Sequence, residues 1–158
     1  MSAPVRKSPV TRPASRYRDD LYGWSREQAE LLRAGRLSEL DASNIAEELD
    51  DVGSEQYDKL QSALTVLLTH FLKWDRQPEL RSRSWVNSIR EQRRRVERQL
   101  RKNPGLKSRL SEAIEEAYED ARDRASTETN LDLESFAQTN PYALEEIMSR
   151  AFDWPPAA

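Results

Sequence analysis

The sequence predicts an all-α fold: a single-domain bundle of about five to six helices joined by short antiparallel connections. Three observations carry that prediction. Apolar residues recur at spacings of three and four along most of the chain, no alternating stretch of useful strand length interrupts them, and Ser, Asp, Asn, Gly and Pro fall where helices must start or stop. With 158 residues, 37% of them hydrophobic and 34% charged, the chain can bury one core beneath a heavily charged surface.

Residues 1–16 are rich in Pro, Ser and Arg without an apolar period, which predicts a disordered basic arm ahead of a helical domain over 17–154 and a tail at 155–158. The first helix falls in WSREQAELLRAG, with Ser25 as N-cap, Gln28 at the capping-box position and Gly35 as the stop. A second begins at Asp41 or Ser43 and carries Ile45, Leu49 and Val52 at i, i+4 and i+7; Gly53 either ends it or only weakens it. Leu60, Leu64, Leu67, Leu68, Phe71 and Trp74 form the strongest stripe, about four turns long, and Pro78 closes it. A helix over 84–102 shows a narrow seam of Trp85, Ile89, Val96 and Leu100. Asn-Pro pairs at 103–104 and 140–141 predict the starts of the last two helices, because proline suits the first helical position. Ala113, Ala117, Ala121 and Ala125 recur every four residues and offer a smooth face to another backbone.

Composition excludes several kinds of chemistry. Without cysteine there is no disulfide, thiolate metal site or thiol nucleophile. Four glycines, none in a phosphate-loop context, exclude the usual nucleotide loops, no G-x-S-x-G hydrolase motif is present, and a single histidine is too few for the common zinc sites. No cofactor and no metal site are expected. The most apolar run, ALTVLLTHFL at 63–72, is too short to span a membrane, and the N-terminus has no apolar signal segment, so a cytoplasmic protein is expected.

The net charge of −3 conceals a segregation of charge. Residues 39–58 hold eight acidic and no basic side chains, residues 111–135 nine acidic against two basic, and residues 81–102 nine basic against two acidic. The plainest expectation is that these blocks pair with one another across helix surfaces. Arg90, Arg94, Arg98 and Arg101 share one face, a spacing that also suits a run of phosphates.

Among single residues, His70 sits at the edge of the core face, as a packed histidine or as a base. Glu48, Asp51 and Glu55 share a face if the helix continues past Gly53, but the Glu-x-x-His pairs of a carboxylate di-metal bundle are missing. Arg93 lies close enough to its helix seam to need a buried acceptor, for which Glu47 or Glu48 is the natural choice. Ser82 or Ser84 is the expected N-cap where the loop enters the 84–102 helix.

The stretches GRLSELDASNIAEEL, LLTHFLKW, QPELRSRSWVNSIREQR, AYEDARDRASTET and NPYALEEI resemble bacterial domain-of-unknown-function family twenty-nine, over roughly Tyr17 to Trp154. The resemblance implies an α-helical, bacterial, cytoplasmic protein and brings no catalytic residues with it. The matching segments contain Glu47, Glu48, His70, Lys73, Trp74, Gln77, Pro78, Arg81, Ser82, Ser84, Trp85, Gln92 and Arg93. All of these but Pro78 make up a candidate polar pocket near the 74–85 turn. With no complete catalytic set, the expected function is a non-enzymatic module that binds a protein partner or itself. Alternatives are nucleic-acid association through 84–102 and a carboxylate and histidine site for acid-base or metal chemistry.

Overall fold

Six α-helices and the short 3-10 turns between them build residues 13–155, the part of the chain that this computed structural model describes. The fold is all-α as predicted, with no strand among the described residues. The basic arm expected over 1–16 lies outside the described residues as far as 12, and residues 13–16 begin α1 (Pro13–Asp19) with proline at the first helical position. Two compact units divide the chain, the first ending at Val52 and the second beginning at Gly53.

The first unit contains α1, α2 (Leu21–Arg33) and the opening turns of α3 (Ala42–Arg76). The N-cap of α2 is Asp20, whose carboxylate accepts the Gly23 N–H at 2.8 Å, so the expected Ser25 cap is corrected. Asp20 is a strong cap one turn upstream, and Ser25, left inside the helix, donates its hydroxyl to the Tyr22 carbonyl. Gln28 closes no capping box; it is buried, and its side-chain oxygen accepts the Asp41 N–H at 2.8 Å. Asp41 also receives the Trp24 indole N–H at 3.1 Å, while the Tyr17 hydroxyl donates to Glu48 at 2.8 Å. Gly35, at φ 70°, takes the left-handed position that ends α2, as expected.

Helix α3 runs through Gly53 without a break. One glycine costs a helix interior about 1 kcal/mol, which the apolar stripe on the following turns outweighs. Leu60, Leu64, Leu67, Leu68 and Phe71 are completely buried, as the periodicity predicts. Against them, in the second unit, pack α4 (Arg83–Lys102) and α5 (Leu110–Thr129). Gln99 reaches the Gln56 carbonyl at 3.0 Å and Lys73 lies over the Trp85 ring at 4.9 Å, so α4 is antiparallel to α3. Tyr57 donates to Glu116 at 2.7 Å and Gln61 to Asp120 at 3.4 Å, so α5 returns parallel to α3. Ala113, Ala117, Ala121 and Ala125 are all fully buried on α5, the close-packing face that their spacing indicates.

Three expectations are corrected here. Val86 rather than Trp85 joins Ile89 and Val96 in the core, and Trp85 and Leu100 pack at its margin. Pro104 starts a 3-10 segment over Pro104–Arg109, and α5 begins only at Leu110. Asn140 folds its side chain onto the Tyr142 backbone, accepting the N–H at 3.0 Å, and delays α6 (Leu144–Ser149) beyond the Asn-Pro pair.

Candidate functional site

The α3–α4 corner gathers His70, Lys73, Trp74, Gln77, Arg81, Ser82 and Trp85. Ser82 is the N-cap of α4, with its hydroxyl accepting the Trp85 N–H at 3.4 Å, and Ser84 is exposed one residue inside the helix. Arg81 donates to the Trp74 carbonyl at 2.9 Å and lays its guanidinium 4.8 Å from the Trp74 ring centre. Gln77 donates to the Thr129 carbonyl at the end of α5 at 3.4 Å. Lys73, between the Trp85 ring and Glu128 (2.6 Å), keeps only 14% of its side chain exposed. These four polar groups are occupied at helix ends or in a half-buried ion pair, where orphan carbonyls and amides need partners.

His70 is the exception. Its Nδ1 lies 2.8 Å from the Val66 carbonyl, and a carbonyl can only accept, so Nδ1 carries the proton and Nε2 keeps a free lone pair. Burial lowers the His70 pKa and the nearby Lys73 and Arg124 charges add to that, against the opposing pull of the Val66 bond and Glu128. A lowered folded-state pKa means that the neutral ring stabilises the fold above the unfolded value of about 6.5 and that this stability is lost as pH falls through the folded value. The thermal midpoint is therefore expected to drop as pH falls below about 6.5, and a His70→Gln variant to lose that component of the drop. An unchanged pH profile in the variant would contradict the assignment.

Arg93, expected to seek Glu47 or Glu48, takes backbone acceptors instead. Its Nε donates to Ile147 at 2.8 Å, Nη1 to Arg150 at 2.8 Å and Nη2 to Glu146 at 3.2 Å, all carbonyls at the C-terminal end of α6. Carbonyls at a helix end carry partial negative charge and have acceptor capacity to spare, Glu146 while also accepting the Arg150 N–H at 3.0 Å, so one guanidinium fork serves them better than a single carboxylate pair would. The Arg93 guanidinium also faces Phe71 and Phe152 at 5.6 and 5.3 Å. Of the remaining expected residues, Gln92 is buried with its side-chain oxygen unpartnered, Glu47 is exposed, and Glu48 receives Tyr17.

Beside Arg93 lies a cluster that the sequence did not single out. Asp75 accepts Tyr142 at 2.8 Å and both Arg150 nitrogens at 2.6 and 3.1 Å. Burial alone would raise the Asp75 pKa; the bonds from Arg150 and Tyr142 and the charges of Arg150 and Arg81 outweigh it and hold the carboxyl below its usual range. The hint in the sequence was a carboxylate in the last turn of α3, where the helix dipole disfavours it and a cation must compensate. Together Arg93 and Asp75 bind the C-terminal segment to α3 and α4.

Two further surfaces stand out. Arg90, Arg94, Arg98 and Arg101 are exposed on α4 and form no ion pair among the described residues, so the expected pairing with an acidic block is not found for them. On α3, the stripe begun by Ile45 leaves Leu49 65% and Val52 55% exposed. Among the described residues no group of three His, Cys, Asp or Glu side chains is placed to hold a metal ion, and no helix is long and apolar enough to cross a membrane.

These features define a helical domain whose polar corner is occupied by helix ends and whose last helix is tied down by an arginine fork. The chain belongs to the family described as Domain of unknown function DUF29, whose model matches residues 16–153. No curated protein and no solved structure matches it.

Proposed function

We propose that the chain is a non-enzymatic interaction module that binds a protein partner through the first turns of α3. The observation that carries this is the exposure of Leu49 and Val52 on the same helical stripe whose continuation is fully buried from Leu60 onward. Exposed Glu47, Asp50 and Asp51 lie along these turns. An apolar strip on acidic helical turns suits an amphipathic segment with basic flanks. Pairing the strip with its own copy would bring like charges together, which disfavours self-association by this face. The occupied polar groups of the α3–α4 corner support the non-enzymatic part of the reading. A cytosolic location fits the cysteine-free composition.

Because both apolar residues are exposed, Leu49→Asp with Val52→Asp is expected to leave the thermal midpoint within a few degrees of wild type, since surface changes usually stay within about 0.5 kcal/mol. Native mass spectrometry of the protein purified from its own host is expected to show one protein bound to the wild type and lost from the variant. A wild-type chain that is purely monomeric and bare, or a variant that keeps the partner, would overturn the reading.

A further inference from the structure

We infer that the outer face of α4 is a binding surface for the phosphodiester backbone of a nucleic acid duplex. At 3.6 residues per turn, Arg83, Arg90, Arg94 and Arg101 fall within about 40° of one another, and Arg98 lies about 40° further round. The row is about 27 Å long at a rise of ~1.5 Å per residue. All five side chains are exposed, and none forms an ion pair among the described residues. Of the two carboxylates of α4, Glu91 pairs with Arg95 at 3.0 Å, and Glu97, one turn before Arg101, stands at the edge of the row as its one nearby carboxylate on the same helix without an ion pair among the described residues.

An exposed row of five arginines repels itself, and carboxylates only at its edges leave a net positive face that favours an external polyanion. Guanidinium forks match phosphate oxygens bidentately, and a rigid helix presents them without the entropy cost of ordering a loop. No apolar or aromatic side chain sits among the five, so the surface is suited to backbone contact without base reading. The same chemistry serves DNA and RNA duplexes. The carboxylates Glu55 and Asp58 beside Arg98 in the α3–α4 groove set one edge of the surface.

The test is fluorescence anisotropy of the full chain with short labelled DNA and RNA duplexes at two salt concentrations. Four to five phosphate contacts predict a log–log salt slope of about −4 for DNA, so a fourfold rise in salt weakens binding about 250-fold. Arg94→Glu with Arg98→Glu is expected to weaken binding at least tenfold and to flatten the slope by about 2. The control, Arg26→Glu with Arg33→Glu on exposed positions of α2, changes net charge equally and is expected to have a much smaller effect. Preference for one duplex identifies the source of the phosphate and supports the inference, as does equal binding of both. Absence of binding at low salt, equal losses in the two variants, or tighter binding to a polyglutamate peptide than to either duplex would overturn it. Loss of the protein partner in Leu49→Asp with Val52→Asp, without loss of duplex binding, separates this surface from the one on α3.

Discussion

Arg93→Ala is expected to destabilise the second unit by about 3–5 kcal/mol, because it removes three charge-assisted hydrogen bonds, each about 1.5–3 kcal/mol before water replaces part of them. The loss is concentrated at the C-terminal segment, since all three acceptors lie between Glu146 and Arg150. Amide exchange is expected to accelerate at Ile147 and through the rest of α6 more than at Leu64 in the centre of α3. Lysine has the charge without the fork, so Arg93→Lys is expected to recover less than half of the loss. Denaturant unfolding with hydrogen exchange checks both points; a full rescue by lysine would mean that charge alone holds α6.

Phe71→Ala is expected to cost about 3–5 kcal/mol, the range for truncating a fully buried phenylalanine. Phe71 has no solvent exposure, and it meets Tyr142 and Phe152 at ring-centre distances of 5.1 and 4.7 Å. It therefore joins the C-terminal end of α3 to the same segment that Arg93 holds from above the ring. The two substitutions share partners, so the double variant is expected to lose less than the sum of the singles, by at least about 0.5 kcal/mol. Strict additivity in a double-mutant cycle would show that ring and fork act independently.

Elements with a clean period were legible in the sequence, and elements held by single long-range contacts were not. The α3 stripe, the alanine face of α5 and the stop at Gly35 each follow from local spacing or backbone preference. The path of residues 136–155 does not, because Phe136, Tyr142, Ile147 and Phe152 are buried singly, at intervals of five and six residues that match neither the helical nor the strand period. Trp85 is in phase with Ile89, Val96 and Leu100, which puts it in the seam by sequence; in the fold Val86 takes the core position in that first turn, and Trp85 lies at the margin as the platform for Lys73.

At the candidate site, the sequence identified Arg93 as a buried cation in need of an acceptor, but a list of acidic residues contains no backbone carbonyls. Asp75, Tyr142 and Arg150 were missed because they are separated by 67 and 75 positions and acquire meaning only once the chain has folded back. Charge blocks were legible as composition and misleading as pairing: the α4 arginines of the exposed row were expected on an acidic helix and are found unpaired among the described residues. The apolar residues Leu49 and Val52 were correctly read as one face of a helix, and their exposure was visible only in the structure.

The most direct measurement of the central claim is a calorimetric titration of the chain with two synthetic amphipathic helices that share a leucine stripe and differ in having lysine and arginine or glutamate flanks. The basic peptide is expected to bind, Leu49→Asp with Val52→Asp to weaken it at least tenfold, about 1.4 kcal/mol, and the acidic peptide not to bind. Equal binding of both peptides, or basic-peptide binding that survives the double substitution, would contradict that claim.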